Sequence, residues 1–180
     1  MKLYLQITAF AVLILATQGW AMAQQPYAGL QARSVKALSE QQTADLKAGR
    51  GMGLALAAEL NGYPGPVHVL ELKKELALTA DQRDRIDKLF ADMKAETIPL
   101  GERLIGLETE LDRQFATRTI TPTSLKSTTE EIGAVQGNLR AAHLKYHLMT
   151  LSAMTQEQAA RYSELRGYGQ VADHRHHGAQ

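Results

Sequence analysis

The sequence has no cysteine, which excludes disulfide scaffolds, CxxC redox chemistry, thiolate zinc sites, cysteine nucleophiles and lipid attachment through an N-terminal Cys. Any metal must therefore be held by His, carboxylate or Met. Charge of one sign is also missing: 20 Lys+Arg stand against 19 Asp+Glu. Recognition of a nucleic-acid backbone needs a clustered basic excess, so nucleic acid is excluded as a main partner. Aromatics are sparse at 6%, with one Trp, and no run of alternating β-branched residues argues for a strand. At 180 residues and 44% hydrophobic, the chain is sized for one compact all-α domain.

One apolar stretch stands out. No charge occurs from Leu3 to Ala32, and a basic start at Lys2 leads into an apolar core around Ile7 to Ala16 and an A-x-A site at Ala21-Met22-Ala23. This is the pattern of a cleaved export signal over residues 1–23. Gln6, Thr8, Gln18 and Gly19 leave the apolar run short of the roughly 20 residues that span a bilayer. Cleavage removes Lys2 and no acid, leaving a formally neutral chain. In a bacterium the expected destination is the periplasm, which has no ATP pool.

The mature chain carries two long helical patterns. Ile86, Phe90, Met93, Thr97, Leu100, Leu104, Leu107 and Leu111 step by alternating fours and threes, and so do Leu125, Thr128, Ile132, Val135, Leu139, Ala142, Tyr146 and Met149. Between them Thr121 is suited to cap a helix and Pro122 to open it, which predicts an antiparallel helical hairpin. Pro99 predicts a kink near residues 95–99. Upstream, residues 24–66 form an N-terminal extension with Gly/Pro-rich joints. Gly49-Arg50-Gly51-Met52-Gly53 lacks the preceding strand and following Lys-Ser/Thr of a phosphate loop and reads as a flexible joint. Leu54 to Leu60 and Val67 to Leu76 read as short helices. The pattern leaves open whether the extension packs on the hairpin or stands free.

A local phrase recurs at Leu38-Ser39-Glu40-Gln41-Gln42, Leu78-Thr79-Ala80-Asp81-Gln82 and Met154-Thr155-Gln156-Glu157-Gln158. Physically it is a capping box behind an apolar residue: the hydroxyl accepts from the N3 amide, and the N3 Gln accepts from the cap's own amide. On Leu78, Thr79, Gln82, Thr155 and Gln158, with Met154 in place of the usual Leu, the chain resembles the Spy/CpxP family of periplasmic LTxxQ proteins. The wider group of that family includes ZraP-like proteins and heavy-metal sensors. The resemblance spans residues 67–166. It implies a thin, curved, antiparallel helical homodimer that acts as an ATP-independent chaperone or stress adaptor for unfolding envelope proteins. A sensor-kinase periplasmic domain is a further partner it suggests. A long hairpin cannot bury all its apolar faces, and Leu144, Leu148 and Leu151, with Met149 beside them, form a candidate client or dimer surface. Met52, Met93, Met149 and Met154 read either as an adaptable binding surface or as core filler.

The histidines carry the alternative, a periplasmic heavy-metal sensor or metal-binding resistance protein for zinc, nickel or copper. His174, His176 and His177 lie in a polar tail at residues 167–180, and His143 and His147 are one helical turn apart, about 40° around the axis. The stretch His143-Leu144-Lys145-Tyr146-His147 lacks the Glu of HExxH, which excludes a zinc protease of that kind. A third ligand would come from elsewhere, with His68 or Glu130-Glu131 as guesses. The client-binding reading needs no cofactor. Carboxylate pairs such as Glu108 with Asp112 fall on solvated helix faces, and no G-x-S-x-G elbow occurs, so no enzyme is expected.

Overall fold

The computed structural model describes residues 27–168. Residues 1–23, read above as an export signal, and the tail histidines His174, His176 and His177 fall outside the described residues. After a 3-10 turn at Leu30–Ala32 come six helices: α1 Glu40–Lys47, α2 Leu56–Glu59, α3 Pro66–Glu71, α4 Ala80–Ala116, α5 Pro122–Leu151 and α6 Gln156–Leu165. Among the described residues there is no strand, and no helix is long and apolar enough to cross a membrane. The fold is all-α.

The hairpin is α4 and α5. At 1.5 Å per residue, the 37 residues of α4 and the 30 of α5 make rods about 55 and 45 Å long. Four helices open with complete capping boxes, at Ser39/Gln42, Thr79/Gln82, Thr121/Ser124 and Thr155/Gln158. Each satisfies two amides that the first turn would otherwise leave open. α4 runs unbroken through Pro99. The second short helix stops at Glu71, earlier than its apolar pattern predicts, and the chain turns through Leu72 to reach Leu78.

The seam follows the heptad reading along most of its length. Ile86, Met93, Thr97 and Leu104 of α4 are buried, as are Thr128, Ile132, Val135, Leu139, Ala142 and Tyr146 of α5. Three positions differ, the first being Leu125 at the start of α5, which is 39% exposed. Leu89 is buried where the stripe predicts Phe90, which is half-buried. Near the end of α5 the expected seam residue Met149 is 41% exposed, and Thr150 is buried in its place. The reason is that α5 buries a second row there, His143, His147 and Thr150, because the N-terminal segment covers that side.

Residues 27–66 are therefore not a free arm. α1 lies on α4, with Leu46 buried among Leu104, Ile132, Val135 and Leu139. The approach is close enough to demand glycine: a Cβ on Gly101 would stand 2.5 Å from the Leu46 carbonyl oxygen. Gly49, at φ +67°, leaves no room either, since its Cβ would meet Thr97 Oγ1 at 2.8 Å. What reads in sequence as a flexible joint is, at Gly49, a buried corner. At the other end of the rods, Val69, Leu76, Leu78, Ile86, Ala153 and Tyr162 form a second core that joins α3, α4 and α6.

Candidate functional site

The N-terminal segment meets α5 at a cleft of about 160 Å³, bordered by Met52, Glu59, His68, Met93, His143 and His147 among others. His143 and His147 both face this side because they are one turn apart on α5. Glycines seat them. A Cβ on Gly65 would lie 3.0 Å from His147 Nε2 and press on that imidazole, whereas one on Gly51 would touch His143 Nδ1 at an ordinary 3.4 Å.

The two rings differ in their bonding. His147, 8% exposed, donates from Nδ1 to the Tyr63 carbonyl at 2.7 Å. A carbonyl only accepts, so Nδ1 carries a hydrogen, and in the neutral ring the lone pair is on Nε2. His143, 2% exposed, has no hydrogen-bond partner for its buried Nε2 among the described residues. Burial, and then the neighbouring His147, lower its pKa below the usual imidazole value. His143 is thus held in the neutral form, with a lone pair available. Both rings are more deeply enclosed than their sequence suggests, since the N-terminal segment roofs them.

Beneath the cleft lies Glu59 of α2, 6% exposed. Its carboxylate accepts from the Tyr162 hydroxyl, from the Tyr168 hydroxyl at 3.2 Å and from the Gly65 amide at 3.1 Å, and Arg166 Nε stands 3.8 Å away. His147 Nδ1 is 3.6 Å from its other oxygen. Burial and the Glu59 carboxylate together push the Tyr162 pKa far up, so the phenol stays a donor. This network links α2, α5 and α6 through one buried acid. Sequence reading missed it, because Glu59 looks like a polar residue closing a short helix; the signal available was its place between an apolar run and Asn61-Gly62-Tyr63-Pro64.

The other singled-out residues fall as follows. Leu148 is 56% exposed, and Leu144 and Leu151 are half-buried. Leu144, Leu148 and Leu151, spaced i, i+4 and i+7, form an apolar row along α5 beside the histidine face, and the exposed Met149 lies about 100° further round the helix from Leu148. Glu130 and Glu131 sit far down the hairpin, paired with Lys126 and Arg103, and do not approach the histidine pair. His68 bonds Glu71 at 3.2 Å on its own helix. Among the described residues no three His, Asp or Glu side chains converge as a metal-binding group.

The motif residues meet each other. Gln82 and Gln158 exchange side-chain amide hydrogen bonds of 2.8 and 3.0 Å, and each also donates to a backbone carbonyl of the opposite segment, Ala153 and Leu76. Met154 packs on the core that contains Leu78 and Tyr162. Comparison with family models, with curated proteins and with solved structures returned no match to this chain.

Proposed function

We propose that the protein is an exported, ATP-independent chaperone of the periplasm that holds unfolding envelope proteins on its helical surface, as the resemblance of its two LTxxQ boxes to the Spy/CpxP family implies. The observation that carries this reading is the exposure of Leu148 and Met149, 56% and 41%, on a helix whose other sides pack on α4 and the N-terminal segment. Apolar area left uncovered on a long helix lowers its free energy by meeting another apolar surface, at about 25 cal/mol per Å². The half-buried Leu144 and Leu151 extend Leu148 into a strip along α5. Beside it Lys145 pairs with Glu96 at 2.5 Å, giving the strip a charged border on which a partly polar client can also rest. A second copy of the chain covers part of this surface in the homodimer that the resemblance implies, and a sensor-kinase domain is a further candidate partner. The role is non-catalytic and needs no cofactor.

The test is light scattering from an aggregating denatured client, with and without stoichiometric amounts of the chain, in buffer free of ATP and treated with chelator. Suppression of scattering is the expected result. Undiminished aggregation in the presence of protein shown to be folded and helical overturns the proposal.

A further inference from the structure

The cleft beside His143 and His147 has an unusual set of donors still free. Glu59 is the carboxylate on the cleft wall, and its oxygens already accept from two tyrosine hydroxyls and the Gly65 amide. His68 is turned to Glu71. What remains on the cleft wall is two imidazoles and two thioethers, from Met52 and Met93. Hard cations prefer oxygen, whereas thioether sulfur with imidazole nitrogen favours soft, monovalent ions.

From this juxtaposition we propose that Met52, Met93, His143 and His147 form a binding site for a soft monovalent metal ion, Cu⁺ or its analogue Ag⁺. Three observations support it beyond the donor types. His147 Nδ1 donates to the Tyr63 carbonyl, the arrangement that fixes a ligating imidazole with its Nε2 lone pair free. His143 is buried with no hydrogen-bond partner for Nε2 among the described residues, an orphan that costs stability unless something occupies it. Met52 adopts a left-handed backbone, φ +45°, between Gly51 and Gly53, a conformation that costs a non-glycine residue energy. It sits exposed at the mouth of the cleft, while Met93 is buried in its wall. The cleft thus has one exposed thioether and, within it, a buried thioether and two buried imidazoles. No cysteine competes for such an ion anywhere in the chain. The site is independent of the client-binding strip, so either proposal stands or falls alone.

The test uses the full chain carrying His174→Gln, His176→Gln and His177→Gln, which removes the tail histidines as competing ligands. Silver nitrate is titrated into protein labelled with ¹³C at the methionine methyls, and binding is followed by NMR and calorimetry. One equivalent of Ag⁺ is expected to shift the methyl signals of Met52 and Met93, identified through Met52→Leu and Met93→Leu. Each substitution is expected to weaken binding at least tenfold. Met52 is exposed, so its replacement leaves the fold intact even if Met93→Leu disturbs packing. Zn²⁺ at the same concentration is expected to leave both signals unmoved. Unmoved methionine signals with Ag⁺, undiminished affinity in Met52→Leu, or equal shifts with Zn²⁺ each overturn the proposal.

Discussion

Gln82 and Gln158, 76 residues apart in sequence, hydrogen bond to each other in both directions at 2.8 and 3.0 Å. Each glutamine first closes its own capping box, accepting from the amide of Thr79 or Thr155, and then uses its NH₂ to reach across. The repeated phrase is therefore two halves of one lock that pins the start of α6 against the start of α4. Serine or threonine with Gln is needed at both sites because the amide must accept locally and donate remotely at once; Glu has no proton to give in its ionised form. Gln82→Ala and Gln158→Ala are each expected to cost about 1–3 kcal/mol in urea denaturation, since each leaves half-buried polar groups unpaired. The double variant is expected to lose less than the sum of the two, with a coupling of about 0.5 kcal/mol or more. Additive losses would show that the boxes act only as separate caps.

The glycines of the hairpin divide into two kinds. A Cβ at Gly106, Gly133 or Gly137 would meet nothing within 4 Å, whereas one at Gly101 would run into backbone of α1. Gly106→Ala is expected to raise stability by about 0.5–1 kcal/mol, through the ordinary preference of a helix interior for alanine. Gly101→Ala is expected to destabilise and to release α1 from α4. Proteolysis between residues 40 and 60, together with thermal melting, distinguishes the two outcomes.

Residues of repeated spacing were the legible part of this chain. The alternating stripes located α4, α5 and most of the seam, and the Ser/Thr-x-x-Gln phrases marked the first turns of α1, α4 and α6 correctly, because both signals depend on neighbours within one helix. What depends on contact between segments was not legible. Nothing local in Gly49 or Gly101 says that another backbone will pass within van der Waals distance. His143 and His147 read as seam-flanking because their cover is supplied by residues some 80 positions earlier, and Glu59 became a buried hub only when α6 delivered Tyr162 to it. Met149 left the seam for the same reason, since the N-terminal segment made the His143, His147 and Thr150 face the more buried one.

Substitutions at the exposed Leu148 and Met149 separate the proposed client binding from stability. Leu148→Asp is expected to change the unfolding free energy by no more than about 0.5 kcal/mol, as befits a surface substitution, while reducing suppression of client aggregation severalfold. Met149→Lys is expected to do the same. Circular dichroism confirms the fold of each variant before the scattering is compared. Full retention of activity in both variants would move the client surface away from this face of α5.

Acid is expected to weaken the attachment of the N-terminal segment through His143. Burial and His147 hold its pKa below the ordinary value of 6.5, so the folded chain binds this proton less readily than the unfolded chain does. The stabilising effect of keeping the ring neutral is complete above about pH 6.5 and declines as the pH falls from there towards the folded value. The titratable groups that line the cleft with the ring are His147, His68 and Glu59; protonating His143 places a buried positive charge where one buried carboxylate is near, and that carboxylate already accepts from Tyr162 and Gly65. Urea midpoints at pH 7.5 and 5.5 are expected to fall for the native chain. In His143→Leu, which removes both the titration and the orphan nitrogen, the difference between the two pH values is expected to shrink, and protection of the 40–66 amides from hydrogen exchange is expected to persist at pH 5.5. An unchanged pH dependence in that variant would assign the acid sensitivity to other groups.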